Sequence, residues 1–235
     1  AWRAPTDNDA HMKAYWGSYN IWQGENLDKA FSKVYDCTCT NGVIRVTGAL
    51  AGVSRRPYCR YTLEITVHTD GKVNMVFDGS IAENAPTWLP RFGLEFSMPP
   101  ENRSFTYFGC GPEESYCDLS RHAAVGLYTS DVDRSFVPYV RPQEQGNHFG
   151  VRLFEIGKLR FTAAAPFECA VSKYSTAALH KAEHIDELVA DGKTHVRVDY
   201  KVSGIGSHSC GPELLPQYRL SERHIDYRLC ISPVL

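Results

Sequence analysis

The sequence predicts an all-β chain, built as a sandwich or a barrel. Three observations carry the prediction. Apolar and polar residues alternate with period two over several stretches, Gly, Pro and Asn set these stretches off as short strands, and helix signals are few. With 235 residues, 43% apolar and 12% aromatic, the chain can bury a large core.

The first clear strand follows the turn signal Asn41-Gly42 and runs Val43-Ile-Arg-Val-Thr-Gly48. Arg60 to Val67 alternates again and puts Tyr61, Leu63, Ile65 and Val67 on one face. The turn Thr69-Asp70-Gly71 then leads into Lys72-Val-Asn-Met-Val-Phe77 as the second arm of a hairpin. Further strands are expected at Arg91 to Ser97, Ser104 to Phe108, Val151 to Leu153, Leu159 to Ala164, Thr194 to Val202 and Ile225 to Ile231. One helix of about two turns is predicted from Ser175, a capping residue, to Glu183, which would put His180 and His184 on one face as a solvated pair. Pro112 to Cys117 is expected to form a single turn with Pro in its first position. No linker divides the chain, so residues 1–235 read as one domain.

Charge and composition exclude several classes. Twenty-five basic against 27 acidic side chains leave a net charge of −2, without the basic excess of a nucleic-acid binder. No apolar run approaches the roughly 20 residues that span a membrane, and no signal peptide opens the chain. The eight cysteines include no Cys-x-x-Cys pair, and none closely precedes the His180-x₃-His184 spacing, so no metal ligands are assigned. They read as reduced, mostly buried small apolar residues, with Cys37 and Cys39 on one face of a strand, which suggests a cytoplasmic chain. The chain starts without Met and with an aromatic at position 2, which suggests a fragment of a longer polypeptide.

Polar, Gly- and Pro-rich clusters stand between the strands: Trp2-Arg-Ala-Pro-Thr-Asp-Asn-Asp9, Tyr107-Phe-Gly-Cys-Gly-Pro-Glu-Glu-Ser-Tyr-Cys-Asp118, Pro138-Tyr-Val-Arg-Pro-Gln-Glu-Gln-Gly-Asn-His148 and Gly204-Ile-Gly-Ser-His-Ser-Cys-Gly-Pro212. With Leu89-Pro-Arg-Phe-Gly-Leu94 they resemble, in order and from Trp2 to about Tyr227, the C-terminal "small chain" domain of family 2 β-galactosidases. The resemblance implies a large antiparallel β-sandwich of the galactose mutarotase-like, or supersandwich, type with one or two short helices. It also implies a partner: a catalytic (β/α)₈ barrel, from an earlier part of the chain or a separate large subunit, that carries both catalytic glutamates. A divalent or sodium cation would belong to that barrel, and no cofactor is expected in this chain.

The residues support the same division. Retaining glycoside hydrolysis needs two carboxyl groups about 5–5.5 Å apart. Glu113 and Glu114 are adjacent and diverge in either a strand or a helix, so Glu114 is expected to cap a turn or bind a backbone N–H. Glu144, near Arg141 and His148 in sequence, is expected to be a hydrogen-bonded strut; it and His148 are also candidates for touching sugar. Val137 and Arg141 precede prolines, so their loop reads as extended.

The family resemblance adds a departure. Many members place a sugar-stacking Trp where this chain has Cys210, which offers no aromatic platform. The loop is expected to border the sugar pocket with a smaller contact, and His208 and Ser209 are polar candidates beside it, against the alternative of a tight turn set by its glycines and Pro212. Leu119 stands where an Arg commonly follows the Tyr-x-Asp motif, and Phe149-Gly150 replaces a usual polar pair. Trp2, Arg3, Asp7 and Asp9 read either as a docking strip with an Arg3 ion pair or as ties for the terminus.

Three functions compete: an accessory part of a β-galactosidase, a stand-alone aldose 1-epimerase, and a free carbohydrate-binding module. The second would draw an acid–base pair from His148, His208, Glu144 and Asp118. The third would use Trp16, Trp22, Trp88 or Tyr107.

Overall fold

The computed structural model describes residues 1–9, 11–17 and 24–234; Trp22 lies outside them. The predicted strands are all present, most of them longer than their periodic stretch. Asn41 and Gly42 both take positive φ, 51° and 78°, and close a two-residue turn between β1 (Ala30–Thr40) and β2 (Val43–Gly52). The meander continues through β3 (Cys59–Val67) and β4 (Val73–Ile81), each antiparallel to the strand before it. Beyond β4 the sheet adds β11 (His224–Pro233), β9 (Leu159–Ser172), β8 (Asn147–Ile156), β6 (Ser104–Gly111) and the edge strand β7 (Ala124–Asp131).

Strand β9, 14 residues long, is where the sheet forks. Its first half, Leu159–Ala163, pairs with β11; its second half, from Glu168 to Ser172, pairs with β10 (Thr194–Val202), which in turn pairs with β5 (Arg91–Met98). The β5–β10 arm lies over the β2–β3–β4–β11 layer, with ring centroids 5.1 Å apart for Phe77 and Phe92 and 5.8 Å apart for Tyr200 and Tyr227. The result is an antiparallel β-sandwich. Phe105, Phe154, Phe161 and Phe167 are almost wholly buried in its core, and each such side chain contributes about 1.5–3 kcal/mol through lost apolar contact with water.

Two short helices complete it: α1 (Lys13–Trp16) and α2 (Thr176–Lys181). The Ser175 hydroxyl caps α2 by accepting the Ala178 N–H at 3.1 Å. None of the described helices is long and apolar enough to cross a membrane.

Three expectations need correction. Helix α2 ends at Lys181 because Ala182 turns extended, so His184 lies beyond it and shares no helical face with His180. Pro112 to Cys117 forms no helical turn: its backbone donors go to other segments, Ser115 N–H to the Asn147 carbonyl at 2.7 Å and Tyr116 N–H to the Leu119 carbonyl. The cysteines are all unpaired, as read, but only Cys59 and Cys169 are buried. Cys37 and Cys39 do share a face, yet every residue of the edge strand β1 is exposed.

Candidate functional site

Three of the motif loops meet around the end of β10, and buried polar side chains hold them there. Arg3 is completely buried. Its Nε and Nη2 donate to the two Asp9 carboxylate oxygens at 3.0 and 2.7 Å, while Nη1 and Nη2 donate to the carbonyls of Ser203 and Gly204 at 2.6 and 3.0 Å. Burial works against the guanidinium charge, and the facing Asp9 carboxylate outweighs it, holding the pKa above its ordinary value. Of the two acidic partners considered for Arg3, Asp9 is the one that pairs; Asp7 is exposed, and its N–H donates to the Gln143 side chain at 2.9 Å. Trp2 packs edge-on against His180, 5.1 Å between centroids. Within this chain, these residues fix the terminus to the sandwich.

The next residues of the loop belong to Asp118. Its two carboxylate oxygens accept the N–H groups of Ile205 and Gly206 at 3.0 and 2.7 Å. A Cβ on Gly204 would meet the Asp118 carboxylate at 2.4 Å, so only glycine lets the backbone approach this closely. Asn8 clasps the loop from its other side, donating to the Gly206 carbonyl at 2.8 Å and accepting the Ser209 N–H at 2.9 Å. The Cys210 N–H closes a turn on the Ser207 carbonyl at 3.1 Å, and the Cys210 thiol is left exposed at the tip. His208 packs its ring against His11, 4.4 Å between centroids. The loop is thus a built and pinned surface. Neither Asn8 nor His11 was singled out by sequence, because both act across the fold.

The remaining candidates lie inside. Glu144 is buried and accepts from Arg197 Nη1 at 2.7 Å, so its strut partner is Arg197 and neither Arg141 nor His148. Glu114 accepts the Gly146 N–H at 2.8 Å and a hydrogen bond from the Tyr139 hydroxyl, the turn-holding role expected of it, while Glu113 faces solvent. His148 is buried and stacks on Tyr107 at 4.0 Å; burial pushes its ring pKa down to about 4, so it is neutral at pH 7. The four residues of the epimerase combination therefore divide between the interior (Glu144, His148) and the Cys210 loop, where His208 sits and which Asp118 pins from outside.

A cleft of about 570 Å³ opens beside β9, β10 and residues 216–222. Glu168 stands at its floor, buried, with its carboxyl accepting from Asn147 Nδ2 at 2.6 Å and the Val202 N–H at 2.8 Å; burial pushes its pKa up to about 8. Glu222, at the rim, is paired with Lys201. Of these motif and cleft carboxylates, Asp9, Glu114, Asp118, Glu144, Glu168 and Glu222 are each committed to a partner within the fold.

Comparison with known proteins places this arrangement. The model of the "Beta galactosidase small chain" family matches residues 1–231. A β-galactosidase from Actinobacillus pleuropneumoniae is 33% identical over 231 residues, covering 97% of this chain and 22% of that protein. Those of Staphylococcus xylosus and Lactobacillus delbrueckii subsp. bulgaricus are 32% and 34% identical, over 96% and 100% of this chain and 23% of each relative. The chain spans less than a quarter of the length of these relatives. A match of this extent, carried by a sandwich whose motif loops are locked together at the end of β10, leaves no ambiguity: the chain belongs to the β-galactosidase small chain family.

Proposed function

We propose that this chain is the non-catalytic C-terminal part of a glycoside hydrolase family 2 β-galactosidase, which removes terminal β-D-galactose from β-galactosides in the cytoplasm. A catalytic barrel, in the same polypeptide or a separate large subunit, supplies both glutamates of the reaction and any cation it uses. The observation that carries this reading is one of extent: relatives named β-galactosidase match this chain nearly end to end, yet it accounts for only 22–23% of them.

The chemistry of the site agrees. Retaining hydrolysis needs a protonated and an ionised carboxyl group about 5–5.5 Å apart across the scissile bond, whereas Glu114, Glu144 and Glu168 are each tied to the fold. The pinned loop 204–212, with Cys210 at its tip, forms part of the sugar-pocket rim, flanked by His208 and Ser209. The exposed strand β1, with Phe31, Val34 and Tyr35 outward, offers apolar surface for the rest of the enzyme to cover.

The test is direct. The purified chain, incubated with a nitrophenyl β-galactoside, releases no nitrophenol, and activity appears when the remainder of the parent enzyme is added. Turnover by the chain alone overturns the proposal, and mutarotation of fresh α-galactose in a polarimeter would move the assignment to an epimerase.

A further inference from the structure

Beside the pinned loop, three side chains converge that no hydrogen bond joins. His11 precedes α1, His208 sits in the turn that carries Cys210, and Glu213 follows that turn. One ligand atom from each lies within 4.8 Å of the other two. His11 Nε2 and Glu213 Oε1 stand 3.7 Å apart, beyond hydrogen-bonding range. Two ligands at about 2.0–2.1 Å from a tetrahedral ion are separated by about 3.3 Å, so the gap suits a shared metal better than a direct contact. The buried Nδ1 of His208 makes no hydrogen bond, a condition that a metal bond would relieve.

The surroundings orient the carboxylate. Arg219 Nη2 holds the other carboxylate oxygen, Oε2 of Glu213, at 3.3 Å and its Nε is fixed on the Leu214 carbonyl at 2.8 Å, which leaves Oε1 turned to His11. A cavity of about 390 Å³, lined by His11, Glu213, Asn84 and Trp88 among others, adjoins the group and gives water access to an open coordination position. Two imidazoles and one carboxylate are the donor set of a first-row transition ion, zinc above all, rather than of calcium or magnesium.

We propose that His11, His208 and Glu213 bind one zinc ion, which clamps the Cys210 loop to the N-terminal segment. The clamp adds to the Asn8 clasp, whose hydrogen bonds to Gly206 and Ser209 already join the same two segments. The ion's role is structural and takes no part in glycoside cleavage; the inference rests on these residues and not on the proposed function.

The test uses the full 235-residue chain carrying Cys37→Ser, Cys39→Ser and Cys210→Ser, which removes the exposed thiols as rival ligands. Titration calorimetry with zinc chloride is expected to give one ion per chain, and cobalt(II) an absorption spectrum without thiolate charge-transfer bands. Substituting His208→Ala, or the exposed Glu213→Gln where the histidine variant fails to fold, is expected to weaken zinc binding at least about 10-fold and to speed proteolysis of the loop in the presence of zinc. Zinc affinity unchanged in both variants, or weaker than about 100 μM in the parent chain, overturns the proposal.

Discussion

Arg3 and Asp9 form a two-pronged ion pair from which water is excluded, with hydrogen bonds of 3.0 and 2.7 Å. The guanidinium also caps the last carbonyls before the Cys210 loop, at Ser203 and Gly204. Removing one partner therefore leaves an uncompensated buried charge as well as a loosened terminus. Asp9→Ala is expected to lower unfolding free energy by about 3–5 kcal/mol, read from urea denaturation. A loss under about 1 kcal/mol would place the pair at a solvated surface.

Asp118 controls the loop through backbone amides and not through side-chain contacts. Asp118→Ala removes the acceptors of Ile205 and Gly206 together, costing about 1–3 kcal/mol for the stranded donors. Limited proteolysis should then cut within residues 204–212 before any other site. Gly204→Ala is expected to have the same effect from the other side, since its methyl group would collide with the Asp118 carboxylate.

Two buried groups set opposite pH slopes. The Glu168 carboxyl titrates near 4.5 when unfolded and about 8 when folded, so the stability it confers is complete below pH 4.5 and is lost as pH rises toward 8. His148 titrates near 6.5 unfolded and about 4 folded, so its contribution is complete above pH 6.5 and is lost as pH falls toward 4. Between pH 6.5 and 8 only the Glu168 slope remains of the two. The buried Ala1 α-amino group, pushed down by burial from 8.0 to about 6, adds a slope of the opposite sign in the same window. Thermal melting between pH 6.5 and 8 is therefore expected to show stability rising with pH more steeply in Glu168→Gln than in the parent chain; parallel slopes would contradict the assignment.

Thiol reactivity should separate the cysteines by depth. Cys37, Cys39 and Cys210 are exposed, whereas burial pushes the Cys59 and Cys117 thiols up to about 12 and raises that of Cys169 as well. Titration with an aromatic disulfide at pH 8 should release three equivalents quickly, with Cys59 and Cys169 reacting only on unfolding. Fast reaction of Cys59 or Cys169 in the folded chain would mean that the sandwich opens locally.

Much of the sheet was legible because most strands turn one face toward the core and their alternation survives. In β3 the alternating Tyr61, Leu63 and Ile65 pack, half-buried, against the core, and Asn41-Gly42 dictated the hairpin before it. Strand β1 was missed for the opposite reason: all eleven of its residues are exposed, so no inside face imprints a pattern. Strand β7 was missed likewise; its Val125 and Leu127 are both 68% exposed. In β8 the predicted start at Val151 came late, because the bulge at Gly150, with φ of +68°, interrupts the alternation that begins at Asn147. The site was readable as loops but not as contacts. Glu144 finds Arg197 and His11 finds His208 only through tertiary placement, which local spacing does not encode.

Strand β9 has a mechanical consequence. Because one continuous backbone is stitched to β11 at one end and to β10 at the other, the two layers have no crease along which to part. Force or denaturant that peels one layer must drag the shared strand out of the other, so the halves should melt as a single event rather than hinge open around an incoming sugar.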